Sequence, residues 1–278
     1  MQTYTHTDTQ THTLTLLFCC WVSSPPLLQF VFRLKYEYTR GDNGAYLFND
    51  AEGTVVALLT ADGLTQSVGV TEDDDELPVG VVLDRTNFYA EQGGQIYDTG
   101  RFENRDAPDL ELDVVNVQKR GAYCLHVATL SKGSLKVGDK LLLKFDHDRR
   151  RPVMSNHTAT HVLNFALRKV LGEADQKGSL VEPERLRFDF SAKGAMTPAQ
   201  IKATEEVVQK VVSEAQVVYD RNTPLAQAKA INGLRAMFGE TYPDPVRVLS
   251  VGADIAEVVA DPAGNHAVDH SVEFCGGT

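Results

Sequence analysis

The stretch Asn156-His157-Thr158-Ala159-Thr160-His161 places two histidines four residues apart. Residues at this spacing lie on one face of an α-helix, so both imidazoles can reach a single ion. Zinc is the metal most often held by nitrogen ligands of this kind. The same spacing also occurs on the polar face of ordinary amphipathic helices. The spacing alone therefore leaves a metal site and a plain helix surface as alternatives.

The residues that follow predict a helix over 157–171. Asn156 is of a type that caps helix N-termini, and Gly172 stands where a helix commonly ends. Apolar side chains recur between these two positions at helical spacing. They are Ala159, Val162, Leu163, Ala166, Leu167, Val170 and Leu171.

Composition restricts the class of protein. The 278 residues suffice for one large domain or two ordinary ones. The net charge of −11 argues against a broadly basic nucleic-acid-binding surface and leaves room for a local basic patch. Four cysteines without regular spacing do not form a disulfide framework, which favours a reducing compartment. No apolar run reaches the roughly 18 residues of a membrane span.

Residues 1–33 differ from the rest of the chain. Threonine occupies every second position from Thr3 to Thr13, and the apolar run 14–22 follows. A secretory signal would carry basic residues before that run and a transit peptide would be rich in arginine, but the first basic side chain other than histidine is Arg33. We expect a leader unrelated to the remainder, either disordered or non-native coding sequence. Cytoplasmic localisation is expected, with an organelle as the alternative.

From residue 34 to about 150, short apolar runs alternate with turn sequences, which predicts a small β-barrel. The runs are 55–59, 79–83, 110–114 and 141–145. Gly93-Gly94 permits close backbone approach and, taken alone, indicates a tight turn. Arg149-Arg150-Arg151 is the strongest basic cluster of this acidic chain; a solvated linker and a contact to an RNA backbone are its alternative interpretations.

The pattern changes to α+β after Asn156. Residues 185–190 alternate as a strand does, and Thr197-Pro198 begins a helix that we expect to reach Glu214. Thr223-Pro224 predicts a further helix to about Phe238. Strands are expected over 246–251 and 255–260. The predicted fold is thus α+β, with a barrel domain over 34–150 and a second domain over 151–278, in which the histidine helix packs on an antiparallel sheet.

Five motifs in order resemble the editing region of alanyl-tRNA synthetases and the related stand-alone editing proteins. The resemblance covers about 34–278. The motifs are Phe88-Tyr89-Ala90-Glu91-Gln92-Gly93-Gly94-Gln95, the stretch 156–161, Gln176-Lys177-Gly178-Ser179-Leu180-Val181, Arg185-Leu186-Arg187-Phe188-Asp189-Phe190-Ser191, and Cys275-Gly276-Gly277-Thr278.

The resemblance implies a zinc site and a pocket. His157, His161 and Cys275 match three zinc ligands of the family, and the fourth would follow Thr278. Thr160, Gln176 and Ser179 match residues of the catalytic pocket. For Thr160, a hydrogen bond to a carbonyl one helical turn back is the structural alternative.

The implied activity is zinc-dependent hydrolysis of serine or glycine from mischarged alanine tRNA. The alternatives are a catalytically incomplete fragment of an alanine–tRNA ligase that binds tRNA only, and an unrelated zinc-binding barrel. ATP would be a cofactor only of the full-length family enzyme, because these residues do not include its ATP-binding domain. The sequence does not predict an oligomeric state.

Overall fold

The computed structural model describes residues 32–33, 39–42, 46–71, 76–121, 123–236 and 241–278. The predicted leader, apart from Phe32–Arg33, lies outside these residues. The chain divides into two compact units. The first comprises Met1–Gln92 with Ile96–Arg151, and the second comprises Gly93–Gln95 with Pro152–Thr278. A membrane-spanning helix is not found among the residues that the structure describes.

A closed antiparallel barrel forms the centre of the first unit. Its six strands pair in the order β10-β9-β12-β4-β7-β11, and β11 pairs with β10 again to close the ring. The strands of this unit are β1 (Phe32–Arg33), β2 (Thr39–Arg40), β3 (Tyr46–Leu47), β4 (Ala51–Thr60), β5 (Gly63–Thr65), β6 (Ser67–Val70), β7 (Leu77–Leu83), β8 (Arg85–Thr86), β9 (Gly100–Asn104), β10 (Ala107–Arg120), β11 (Tyr123–Lys136) and β12 (Lys140–Phe145). The predicted barrel is confirmed.

Alternation of side chains explains why these segments form barrel strands. On β10, Leu110, Leu112 and Val114 are buried, while Glu111 and Asp113 between them are exposed. Because successive side chains of a strand point to opposite faces, one apolar face of each strand lines the interior. The interior cluster contains Phe88 and Phe102, whose rings meet edge to face at 5.3 Å between centroids.

His126 is fully buried in the barrel wall on β11. Its Nδ1 lies 3.1 Å from the carbonyl oxygen of Val81, and its Nε2 lies 2.8 Å from the hydroxyl of Thr86. A carbonyl only accepts, so Nδ1 carries the proton and Nε2 accepts from the hydroxyl. Burial lowers the pKa of His126 to about 4, although the hydrogen bond to Val81 opposes the shift. The imidazole is therefore neutral near pH 7.

The basic cluster 149–151 is not a uniform solvated linker. Arg150 has no exposed surface, and its Nε donates to Oδ1 of Asp98 at 2.9 Å. Its Nη2 donates to the second carboxylate oxygen of Asp98 and to the carbonyl of Asn87. The guanidinium also stacks 4.0 Å from the ring centroid of Phe145. Arg150 is therefore an internal ion-pair partner of the barrel unit and cannot serve as a contact to RNA.

The second unit combines helices with small antiparallel sheets. Strands β15, β16 and β17 form a three-stranded sheet in that order, and β13 pairs with β14. The elements after the barrel are α1 (His147–Leu171), β13 (Gln176–Val181), β14 (Leu186–Phe190), α2 (Pro198–Ser213), β15 (Val218–Thr223), α3 (Leu225–Lys229), β16 (Val246–Val251), α4 (Ile255–Ala260), α5 (His266–Asp269) and β17 (Ser271–Phe274). The α+β fold class is confirmed.

The histidine helix packs on this sheet as expected. Val162 of α1 clusters with Leu249 and Val251 of β16 and with Cys275. The predicted end of the helix is also right, since Gly172 follows it with a φ of 81°, a value that favours glycine. The helix begins earlier than predicted, at His147. Asn156 is not its cap, because its side-chain amide donates to the carbonyls of Glu182 and Pro183.

Two other predicted elements are corrected. The helix expected from Pro224 to Phe238 is only Leu225–Lys229, and Gly233, with a φ of 83°, lies in the turns that follow. Residues 255–260 form a helix where a strand was expected. The side chain of Asp254 accepts a hydrogen bond from the backbone N–H of Ala256 at 2.7 Å and caps this helix. In contrast, the predicted capping box at Thr197 is present.

The depressed pKa of His126 predicts acid sensitivity of the barrel. The folded pKa of about 4 lies below the unfolded value of 6.5. The contribution of the neutral imidazole is therefore complete above pH 6.5 and is lost as the pH falls toward 4, up to about 3 kcal/mol. In urea unfolding across this range, His126→Gln should remove that part of the pH dependence. An equal slope for both proteins would contradict the prediction.

The Arg150–Asp98 pair predicts a large difference between adjacent arginines. Arg150→Met leaves a buried carboxylate without its cation and should lower the free energy of unfolding by about 3–5 kcal/mol. Arg151→Met is the matched control: its side chain is 61% exposed and lies 3.8 Å from Asp148, so a loss below about 1 kcal/mol is expected. Chemical denaturation measures both, and equal losses would refute the assignment.

Candidate metal centre

Three side chains from distant parts of the second unit meet at one point. His157 and His161 lie on one face of α1, and Cys275 follows β17 directly. The Cys275 sulfur is 3.4 Å from Nε2 of His157 and 3.2 Å from Nε2 of His161. All three residues are buried, and their ligand atoms lie within 4.8 Å of one another. The sequence-predicted ligand residues are thus brought together.

The far side of the His157 ring is fixed by Gln95. Nδ1 of His157 lies 2.8 Å from Oε1 of Gln95, which also accepts from the backbone N–H and the hydroxyl of Thr278 at 3.2 and 3.0 Å. A backbone N–H can only donate, so this atom of Gln95 must be the oxygen. Nδ1 of His157 must then carry a proton, and Nε2 is the ring nitrogen that faces the Cys275 sulfur.

A carboxylate orients His161 in the same way. Nδ1 of His161 lies 2.7 Å from Oε2 of Glu273, and Oε1 of Glu273 accepts from the side-chain amide of Asn164 at 2.9 Å. Both carboxylate oxygens of Glu273 are therefore engaged. Metal-ligating histidines characteristically donate their second ring N–H to such an acceptor, which fixes the tautomer and strengthens the ligand.

The electrostatics of the group favour a thiolate. Burial alone would raise the pKa of Cys275, but the charges and hydrogen bonds of His161 and His157 hold it well below its usual value. Burial would likewise lower the pKa of His161, yet the Cys275 sulfur and Glu273 raise it to about 10. The contacts between these groups thus favour the charged forms of both Cys275 and His161.

The donor atoms fit a divalent metal ion. In a tetrahedral site with bonds of about 2.0 Å to nitrogen and 2.3 Å to sulfur, a nitrogen and a sulfur ligand are about 3.5 Å apart. The two separations in this group, 3.4 and 3.2 Å, are close to that value. Two imidazole nitrogens and a thiolate converge, and one cation can accept all three lone pairs. This group could hold a metal.

Arg247 holds the segment that carries Cys275, and an acidic partner holds Arg247. Nη1 of Arg247 donates to the carbonyl of Gly277 at 3.0 Å, and its Nε pairs with Asp220 at 2.9 Å. Gly277 lies against the ring of His157: a Cβ at this position would stand 2.7 Å from both ring nitrogens. The sequence requires glycine here because the imidazole occupies the space of a side chain.

The three predicted pocket residues occupy different settings. Thr160 is buried on α1, and its hydroxyl donates to the carbonyl of His157 at 2.7 Å, the hydrogen bond expected of a structural threonine. Gln176 and Ser179 lie on β13, and the side-chain amide of Gln176 donates to the hydroxyl of Ser179 at 3.2 Å. Residues three apart on a regular strand would face opposite sides. A register shift between Gln176 and Gly178 places both on one face.

Residues 93–95 connect this face to the histidines. Val181 of β13 donates its backbone N–H to the carbonyl of Gly94 at 2.7 Å, and a Cβ on Gly94 would stand 2.6 Å from the carbonyl oxygen of Ser179. The next residue, Gln95, reaches His157. Gly93 and Gly94 have φ values of 59° and 81°, so the turn predicted from the two glycines is confirmed, and it also positions a partner of His157.

Sequence reasoning missed the side chains that orient the ligands. Gln95 was part of a recognised motif, yet nothing in its local pattern indicates that it reaches a residue 62 positions away. Glu273 and Asn164 offered weak signals: Glu273 stands two residues before Cys275, and Asn164 lies three residues after His161 on the helix face.

A cavity of about 550 Å³ at the end of α1 is lined by other residues, including 191–196.

Comparisons with known proteins define the class. Residues 31–149 match the family model described as tRNA synthetases class II (A). The cytoplasmic alanine–tRNA ligase of Caenorhabditis elegans is 45% identical over 88% of this chain and 25% of its own length. The mitochondrial enzymes of Saccharomyces cerevisiae and Homo sapiens are 48% and 42% identical, over 85% and 88% of this chain and 24% of each relative.

The chain belongs to the alanyl-tRNA synthetase family. It spans about a quarter of the length of the relatives described above. The predicted resemblance is therefore confirmed at the level of the family. The relatives include proteins named as cytoplasmic and as mitochondrial.

The packing of Gly277 on His157 predicts how the metal affinity responds to one added methyl group. Gly277→Ala should displace the imidazole and weaken the binding of a divalent metal about 10- to 100-fold. Gly276→Ala is the matched control, since a Cβ there meets no atom within 4 Å. Competition with a chromogenic chelator measures both affinities. Equal affinities of the two variants would show that His157 is not a ligand.

Proposed function

We propose that this chain carries an aminoacyl-tRNA editing site, which hydrolyses serine or glycine from mischarged alanine tRNA in a zinc-dependent reaction. The observation that carries the proposal is the convergence of His157, His161 and Cys275, with both Nε2 atoms directed at the sulfur, in a chain of the alanyl-tRNA synthetase family. The nitrogen and sulfur donors favour zinc among the common metals.

The residues of the group have distinct tasks in this reaction. A bound zinc ion would supply Lewis-acid polarisation of the ester or of water. Gln95 and Glu273 keep the two imidazoles in the tautomer that leaves each Nε2 free to bind. Asn164 holds Glu273, and Arg247 holds the segment 275–277, so both act on the candidate ligands indirectly.

The acidic residue of the group is poorly suited to act as a general base. Both oxygens of Glu273 already accept hydrogen bonds, and position 158, beside the first histidine, is threonine. A zinc protease has glutamate at the corresponding position and uses it to remove a proton from water. This arrangement supports hydrolysis of an activated ester, whose leaving group is better than that of a peptide bond.

We assign the discrimination between serine and alanine to polar residues around the candidate metal centre. Thr160, Gln176 and Ser179 are proposed to line the part of the pocket that receives the amino acid side chain. Sites that hydrogen-bond a hydroxyl distinguish strongly against an analogue that lacks it, because buried polar groups are then left unpaired. Serine has the hydroxyl and alanine does not, so polar side chains at these positions favour removal of serine.

The proposal predicts that deacylation and metal content change together. Wild-type protein should bind about one zinc per chain and release serine from mischarged alanine tRNA. His161→Ala should lose most of the zinc and reduce the rate at least about 100-fold, because it removes a ligand and strands Glu273. His266→Ala, a histidine of α5 outside the group, is the control and should retain both properties.

The alternative, a fragment that binds tRNA without hydrolysing it, gives a different pattern. It would show zinc binding and tRNA binding with no release of serine by the wild-type protein. Addition of one histidine after Thr278, where the family places its fourth ligand, distinguishes the two cases. If the added histidine produces hydrolysis, incomplete metal coordination explains why the chain without it is inactive. If both forms bind zinc and neither hydrolyses the ester, the proposed activity is contradicted.

A further inference from the structure

The hairpin of β13 and β14 has one face on which aromatic and polar side chains are combined. Gln176 pairs directly with Phe190, and Ser179 pairs directly with Phe188. Because residues opposite each other in a β-ladder project from the same side, the two phenylalanines share the face of Gln176 and Ser179. The register shift at Lys177 is what produces this arrangement.

The two rings form an aligned pair. The ring centroids of Phe188 and Phe190 are 6.4 Å apart, and the ring planes are inclined by 27°. Both residues are half-buried, so part of each ring reaches solvent. The opposite side of β14 carries the exposed Arg187, which pairs with Asp189. The aromatic surface is therefore confined to the side that bears the proposed pocket residues.

The same side of the hairpin is close to the segment that reaches the metal group. Ser179 lies against Gly94, and its hydroxyl donates to the carbonyl of Gly93 at 3.4 Å. Gln95, the following residue, holds His157. A chain of direct contacts thus leads from the aromatic face through residues 93–95 to the candidate ligands.

We propose that Phe188 and Phe190 form a stacking platform for the terminal nucleobase of the RNA whose 3′ ribose carries the ester. This inference rests on the proposed function, because an ester at the metal group places the base of the same nucleotide within a few ångströms of the pocket. Unpaired bases are commonly bound by stacking on aromatic side chains. Phe188 and Phe190 are positioning residues in this scheme.

Lys177 adds a charge suited to the same ligand. It is exposed at the register shift, next to Gln176. The positive charge of Lys177 matches the phosphate that precedes the terminal nucleoside. The platform therefore combines stacking with charge neutralisation, as single-stranded nucleic acid sites do.

Binding measurements with two RNA probes test whether the terminal base stacks on the two phenylalanines. The probe is an RNA hairpin with the unpaired 3′ end of alanine tRNA and serine joined to the terminal ribose by an amide, which resists hydrolysis. A second probe lacks only the terminal base. Phe188→Leu and Phe190→Leu should each weaken binding of the first probe about tenfold and of the second less than twofold.

Controls separate stacking from folding and from the proposed activity. Phe48→Leu, the same change at a half-buried ring of the barrel unit, should leave both affinities unchanged. If the wild-type protein releases serine but the variants weaken both probes equally, the platform is refuted and the editing function stands. If base-dependent losses are found without hydrolysis, the platform stands and the editing function is refuted. Absence of wild-type binding to both probes refutes both.

Discussion

The side-chain oxygen of Gln95 fixes the arrangement of the candidate metal centre. It accepts hydrogen bonds from His157 and from two groups of Thr278, residues that lie 62 and 183 positions away in sequence. Since one of these donors is a backbone N–H, neither the amide nor the imidazole can be reversed without losing a bond. This one acceptor therefore sets which nitrogen of His157 faces the Cys275 sulfur, and it ties that ring to Thr278, while Arg247 holds the segment between them.

Two buried histidines show how neighbours decide the charge of the same side chain. His126 and His161 are both buried, yet the pKa of the first falls to about 4 and that of the second rises to about 10. His126 meets a carbonyl and a hydroxyl, which are neutral, so desolvation prevails. His161 meets Glu273 and the Cys275 thiolate, and these charges outweigh the same desolvation. The barrel histidine is therefore a neutral group of the interior, whereas the charges around His161 favour its protonated form.

Periodic patterns were enough to predict the barrel, the histidine helix and the class of the fold, because alternation and helical spacing are local. Residue type and the family motifs were also enough to select the three residues that the structure brings together, His157, His161 and Cys275. Local sequence patterns gave wrong predictions where a short segment is compatible with two different structures. The segment 255–260 contains β-branched residues, yet Asp254 caps a helix there. Asn156 resembles a cap, but its amide instead holds the carbonyls of Glu182 and Pro183. The roles of Gln95 and Glu273 depend on contacts across more than 60 residues, which no local pattern encodes.

The distance between ligands along the chain has a consequence for biogenesis. His161 and Cys275 are separated by 114 residues, and Gln95 precedes both. During synthesis the histidine helix is made long before the thiol that completes the group. The three candidate donor residues meet only when β16, β17 and α1 have packed together. A metal bound tightly by all three would therefore follow folding of the second unit, and it would add its binding free energy to that fold. Metal loading would therefore report that β17 has docked, and it would make the second unit harder to unfold than an intermediate that lacks this strand.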